Sequence, residues 1–345
     1  MTDLDFLPYI LSFLVSLLVT RVMMFVDIHD IPGDRSSHKL VTPRGGGLGI
    51  LFAFYISWFL HGVSGFPFYE AYFHWLACVV VAALMGGVGF VDDLAGIRDA
   101  IKLGFQTLAC GILVFSGIKF MAVPLPFLGY VHLGLLGSLV TMFWLVGFMN
   151  AFNFMDGLNG MSSGVTIVAS FFWFLITLKA GSEALSFSAL IILAANLGFI
   201  GFNFPHAKIF MGDTGSLFLG ALFSLWAVLS TLPEFGGISL WTMPMIFFIY
   251  LYDVIFTRIR RLLKGHSLLS AHREHLYQLL NRLGWSHARV TLVYMVFFFF
   301  QGSIAYGMQF VSPDDHSWFF MVLLPLYIPL SLLIVKKARA QGIDI

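Results

Sequence analysis

Apolar runs of about 20 residues recur from one end of this chain to the other, each long enough to carry a helix across a hydrocarbon core of ~30 Å. In lipid, backbone N–H and C=O groups find no water, so a spanning segment bonds either within itself as a helix or around a closed barrel. The runs lack the short alternating pattern of barrel strands. Composition agrees: of 345 residues, 59% are hydrophobic, 11% are charged and 39 are Phe, against roughly 45–50% apolar and about 25% charged in soluble domains. The expected fold is all-α, a polytopic integral membrane protein.

Eleven transmembrane helices are expected, at 6–26, 46–62, 72–91, 102–120, 132–151, 161–179, 186–203, 215–232, 238–258, 290–311 and 318–335. Asp3 and Asp5 stand where a cleavable signal peptide would carry basic residues, so the first run reads as a span. With the N-terminus periplasmic and the C-terminus cytoplasmic, 17 of the 19 Lys and Arg fall in inside connections, and only Lys119 and Lys179 fall outside. An error of one span would scramble that asymmetry, which therefore supports an odd count. No repeat, low-complexity tract or long polar linker divides the chain, so residues 1–345 are expected to form one domain. Cys78 and Cys110 sit inside apolar runs and read as packing residues. A net charge of +1 gives no reason to expect nucleic acid as a partner.

The inside connections hold nearly every polar cluster. GFVDDLAGI closes the third span with Asp92 and Asp93, an acidic pair that is expensive beside hydrocarbon unless paired or coordinated. Like charges raise one another's pKa, which suits a general base unless a cation absorbs the repulsion; a solvated helix end is the plain alternative. NAFNFMDGLNG spaces Asn150, Asn153, Asp156 and Asn159 three apart, so that a helix ending there turns 150, 153 and 156 roughly to one side. Their oxygens suit Mg²⁺, although an Asn/Gly-rich capped turn would look the same. FMGDTGS puts Asp213 at the start of the eighth span, either as a cap or as the carboxylate holding a metal beside an anion at the helix N-terminus. DRSSHKLVTPRGGG supplies Arg35, His38 and Arg44 before three glycines, a set suited to phosphate oxygens or simply a basic inside loop. AHREHLYQ carries His272, Arg273 and His275. Two His without a third ligand are poor zinc spacing; donation to a diphosphate suits them better, with a solvated amphipathic helix as the competing reading.

Five such clusters on one face describe a Mg²⁺-dependent enzyme acting on a phosphorylated, lipid-linked substrate. A transporter would place ionisable groups near mid-membrane, where this chain has almost none. A non-catalytic scaffold would need neither Asp213 nor the acidic pair.

In their order, SSHKLVTPRGGG, GFVDDLAGI, NAFNFMDGLNG, NFPHAKIFMGDTGSLFLG and AHREHLYQ resemble the motifs of the polyprenyl-phosphate N-acetylhexosamine-1-phosphate transferases, over about residues 27–278. The resemblance implies transfer of a sugar 1-phosphate from a UDP-sugar to undecaprenyl phosphate in the bilayer, with release of UMP, at the cytoplasmic face of the bacterial inner membrane. It implies Mg²⁺ as cofactor, with Mn²⁺ as a substitute, and leaves a homodimer open. Asp92, Asp93 and Asp156 would be catalytic, and Asp213 and Asn153 would hold the metal. Arg35, His38, Arg44, Asn150, Asn159, His272, Arg273 and His275 would meet the substrates. HREH replaces the run of three His typical of the peptidoglycan branch, and TPRGGG carries an Arg which that branch tends to lack. The expected branch is therefore the one that initiates O-antigen or capsule, with phospho-N-acetylmuramoyl-pentapeptide transferase as the alternative. Whether the lipid phosphate attacks directly or an aspartyl phospho-enzyme forms is not decided by these residues.

Overall fold

The computed structural model describes residues 6–32, 40–61, 69–266 and 272–345. The described helices are α1 (Leu7–Met23), α2 (Gly47–His61), α3 (Tyr69–Ala95), α4 (Asp99–Phe115), α5 (Leu135–Met155), α6 (Met161–Lys179), α7 (Glu183–Asn203), α8 (Gly212–Leu229), α9 (Thr242–Ile246), α10 (Phe248–Leu262), α11 (Leu276–Arg282), α12 (His287–Met308) and α13 (Trp318–Ala340). Among the described residues two short antiparallel ladders accompany them, β1 (His29–Asp30) with β2 (Thr42–Pro43), and β3 (Ala122–Leu125) with β4 (Gly129–His132). The all-α polytopic expectation holds.

The fold is built around α8, of which 89% is buried, and α2, α3 and α5 pack on it. Contact with α3 is backbone on backbone: a Cβ added to Gly89 would lie 2.2 Å from the Asp213 carbonyl oxygen. Only glycine permits that approach, and it sets the end of α3, with its two aspartates, against the start of α8.

Among the described residues, seven helices are long and apolar enough to cross a membrane, while α1 and α2 are apolar but shorter. The fourth expected span, 102–120, ends at Phe115, and the chain then turns into the β3–β4 hairpin. The ninth, 238–258, is broken at Phe247 into α9 and α10. Hydropathy alone could not show this break, because the interruption is satisfied from elsewhere: Gln301 of α12, itself fully buried, accepts the Ile249 N–H at 3.3 Å. A freed backbone donor at membrane depth is tolerated only with such a partner. Redirected in this way, α10 turns Asp253, Thr257 and Arg261 inward and leaves Ile255, Ile259 and Leu262 outside, an inversion that sequence periodicity in a membrane helix does not announce.

Candidate active site

The loop before α2 is stitched to the start of α8 by backbone hydrogen bonds: Phe210 N–H to the Pro43 carbonyl (2.8 Å), Gly46 N–H to Phe210 (2.9 Å) and Gly47 N–H to Met211 (2.8 Å). This delivers Arg44 to Asp93, whose Oδ1 accepts from the Arg44 Nε at 2.9 Å. Asp93 also accepts the backbone N–H of Asp213 (2.9 Å) and of Thr214 (3.1 Å), and the Thr214 hydroxyl (2.6 Å). Its side chain is 0% exposed. As the last-turn residue of its own helix it sits at the unfavourable end of that dipole, and the orphan N–H groups of α8 offset this. Gly212, at φ +75°, lies directly beneath it, where a Cβ would meet the carboxylate at 2.4 Å. Asp93 is therefore fully engaged by protein donors and anchors the start of α8.

Asp92 differs. Its Oδ1 accepts the Ile97 N–H (2.6 Å), while its Oδ2 takes the Lys102 ammonium at 3.1 Å. The same ammonium reaches Asp213 Oδ2 at 3.0 Å. Lys102 thus holds together two carboxylates from α3 and α8. Sequence reading treated it only as an orientation charge; the available signal was a cation at the start of an apolar run soon after an acidic pair.

Beside this triad opens a polar cavity of about 260 Å³. Asn153, Asp156, Asn159 and Asp213 line it, as does Arg44, joined by Asp30, Asn203, Ser216, Gln278 and His287. Asn153 donates to the Ser216 hydroxyl at 2.9 Å. Asn159 gives its N–H to His287 Nδ1 (3.4 Å) and its amide to the Pro205 carbonyl (3.3 Å). Asn203 bridges the Gly160 N–H (2.6 Å) and the Ile209 carbonyl (2.8 Å), tying two motif loops together. Burial, reinforced by the charges of Asp213 and Asp93, pushes the Asp156 carboxyl up to about 7, where a general base works best at neutral pH.

Other expected residues lie elsewhere. Asn150 faces α4, donating to Gln106 Oε1 and to the Val146 carbonyl, both at 2.7 Å, and is not part of the cavity wall. His272, Arg273 and His275 also stand outside that wall, which α11 supplies through Gln278. His275 is 3% exposed, its Nδ1 3.3 Å from Asp253 Oδ1. Asp253 also accepts the N–H groups of Leu276 (2.8 Å) and Tyr277 (3.2 Å), with the Tyr294 hydroxyl at 2.9 Å. His275 thus works beside the anchor of α11. His272 accepts the Glu274 N–H on Nδ1 at 3.4 Å, which leaves its Nε2 to carry the proton. Burial, with His275 and Arg261, Arg258 and Arg260 nearby, lowers it to about 3, so it is a neutral donor at pH 7. Arg35 and His38 lie outside the described residues.

Among the described residues no group of three or more His, Cys, Asp or Glu is placed to hold a metal ion. The donor set nonetheless fits Mg²⁺, which is commonly bound through one or two carboxylates plus substrate phosphates. Asp92 and Asp213 converge on one cation, and the cavity offers three carboxylates, Asp30, Asp156 and Asp213, against the guanidinium of Arg44. An anionic substrate entering such a wall needs an accompanying cation.

The profile of glycosyl transferase family 4 matches residues 75–231. A probable undecaprenyl-phosphate N-acetylglucosaminyl 1-phosphate transferase of Bacillus subtilis (strain 168) is 30% identical over 310 residues, covering 87% of this chain and 85% of the relative. A decaprenyl-phosphate N-acetylglucosaminephosphotransferase of Mycolicibacterium smegmatis is 28% identical over 342 residues, 90% of this chain and 82% of its own. A phospho-N-acetylmuramoyl-pentapeptide-transferase of Clostridium perfringens (strain SM101 / Type A) is 30% identical over 269 residues, 75% of this chain and 80% of its own.

Proposed function

Since the chain belongs to glycosyl transferase family 4, we propose that it transfers an N-acetylhexosamine 1-phosphate from a UDP-sugar to undecaprenyl phosphate, releasing UMP, on the cytoplasmic face of a bacterial inner membrane. An oxygen of the lipid phosphate forms a bond to the sugar-bearing phosphorus of the donor as the bond from that phosphorus to the UMP oxygen breaks. The observation that carries this reading is the junction of α3, α4 and α8, where Asp92 and Asp213 share Lys102 at the edge of a polar cavity that Asp156 also lines.

Each residue has a task that follows from its place. Asp156, lining the cavity with a carboxyl held near neutrality, receives the proton of the attacking lipid phosphate. Asp213 and Asp92, with the Asn153 amide oxygen, would hold Mg²⁺, which would screen phosphate charge and polarise the P–O bonds. Lys102 sets the separation of the two carboxylates from α3 and α8. Arg44, partly turned to Asp93, presents its remaining positive face to the cavity. Asn159, Gln278 and His287 provide the neutral polar wall against which the sugar and nucleotide lie.

The N-acetylhexosamine donor is preferred over the pentapeptide donor because the relatives named for N-acetylglucosamine align with 80–90% of the chain, against 75% for the pentapeptide relative. The HREH sequence of the last inside loop favours the same branch, and with it a role in starting O-antigen or another surface glycan. The test is UMP release by purified protein with undecaprenyl phosphate and Mg²⁺, comparing UDP-N-acetylglucosamine, its galactosamine epimer, 6-deoxy N-acetylhexosamine donors and UDP-N-acetylmuramoyl-pentapeptide. Turnover with a simple or deoxy sugar that EDTA abolishes is the expected result. Turnover only with the pentapeptide would overturn the donor assignment, and turnover undiminished by EDTA would overturn the metal.

A further inference from the structure

Helix α13 is the least buried of the long apolar helices, with 22% of its span inside the protein. Pro325 and Pro329 interrupt its backbone ladder. Between its basic end and α10 lies a groove of about 460 Å³ with apolar walls that include Ile259, Leu332 and Val335, rimmed by Arg260, Lys336 and Arg339. The charge there is unbalanced. Arg260 gives one nitrogen, Nη2, to Glu274 at 2.8 Å, and Glu274 is shared with Arg261. The other two guanidinium nitrogens of Arg260, Nε and Nη1, are buried without a hydrogen-bond partner, and the side chain is 10% exposed. Lys336 and Arg339 make no ion pair among the described residues. Lys264 is the exception on this rim, donating to the Ile345 carbonyl.

Buried guanidinium N–H groups left unpaired are costly, and cations at the ends of apolar helices sit at the level of lipid headgroups. We infer that this groove binds an anionic glycerophospholipid, with its headgroup phosphate on Arg260, Lys336 and Arg339 and an acyl chain along the apolar wall, and that the lipid holds α13 against α10. A phosphate in the groove would offer acceptor oxygens to the orphaned guanidinium nitrogens and balance the charge of Lys336 and Arg339. A larger apolar groove of about 860 Å³ along α3, lined by Trp58, Trp75 and Phe105, has no basic residue in its wall and so nothing to select one headgroup charge. The substrate lipid is not the occupant, because the basic-rimmed groove shares no lining residue with the Asp213 cavity.

The test uses the full chain, delipidated in a nonionic detergent, with its melting temperature read after adding phosphatidylglycerol or phosphatidylcholine at equal mole fraction. Phosphatidylglycerol should raise the melting temperature more than phosphatidylcholine does. The double variant Lys336→Gln/Arg339→Gln should lose that difference, each single replacement should lose part of it, and Arg21→Gln, an exposed cation on α1, should keep it. Native mass spectrometry should show phosphatidylglycerol retained by the wild type and released by the double variant. Equal stabilisation by both lipids, or a phosphatidylglycerol effect that survives the double replacement, would overturn the inference. A shift with undecaprenyl phosphate that the double variant loses would reassign the groove to the substrate lipid.

Discussion

Two helix starts, those of α8 and α11, are held by one device in different surroundings. At α8 the anchor is Asp93 of α3, and at α11 it is Asp253 of α10. Both side chains are 0% exposed, and both accept two backbone N–H groups from the first turn of the helix they hold. The partners differ. Asp253 is surrounded by the Thr257 and Tyr294 hydroxyls and the His275 ring, whereas Asp93 meets Arg44 and stands next to Asp92, which reaches Asp213 through Lys102. A buried carboxylate at a helix start is thus a positioning device in both places. What sets the α8 start apart, and makes it the chemical one in the proposed function, is the second layer of charge beside a cavity.

The largest break in this comparison should come from Asp213→Ala. Transfer should fall by roughly 10³-fold or more with a melting temperature close to that of the wild type, measured by UMP release and thermal unfolding on one preparation. Retained turnover would remove Asp213 from the chemistry. Asp253→Ala should do the reverse. Leaving the Leu276 and Tyr277 donors and the Tyr294 hydroxyl without an acceptor should cost about 3 kcal/mol of stability, and the donor KM should rise more than kcat falls, since α11 reaches the cavity only through Gln278. A stable variant with an unchanged KM would show that α11 needs no such anchor.

Asp156 gives the next effect, and its sign is defined. Its carboxyl is raised to about 7 from an ordinary value of 3.8, so between those limits the folded protein binds a proton that the unfolded chain has released. Stability therefore declines as pH rises through that window. Asp156→Asn, in EDTA, should melt a few degrees higher than the wild type at pH 8 and nearly level with it at pH 4, while transfer is lost; wild-type kcat/KM should rise with pH on a limb near 7. A variant less stable at pH 8 would contradict the raised value. The smallest effect belongs to Asn150→Ala, which should cost about 1 kcal/mol through its lost bond to Gln106 and leave kcat unchanged. A large fall in kcat would return Asn150 to the substrate site.

Much of this fold could be read from the chain because lipid leaves few solutions: apolar runs such as 161–179 become α6 at the expected limits. The break at Phe247 was not legible, since its remedy is a glutamine 52 positions further on, in another helix. Within the site, the sequence pointed to Asn153, Asp156, Asn159 and Asp213, which do meet in the cavity. It could not separate Asp92 from Asp93, because adjacent residues on a helix point about 100° apart and only the neighbour on each side assigns the work. Asn203, Gln278 and His287 escaped notice because a lone polar residue at a helix end has no spacing to betray it. Asp253 escaped because hydropathy counts it as one charge in a span, without seeing that it faces inward.

The most direct measurement compares Asp92→Asn with Asp93→Asn, recording the melting temperature and the rate of UMP release for each. Asp93→Asn should lose much of its melting temperature, because the start of α8 and the Arg44 guanidinium lose their shared carboxylate. Asp92→Asn should melt close to the wild type yet fail in kcat, because only its pairing with Lys102 and Asp213 is altered. A stable but inactive Asp93→Asn beside an unstable Asp92→Asn would reverse the two assignments and contradict the division between anchor and site.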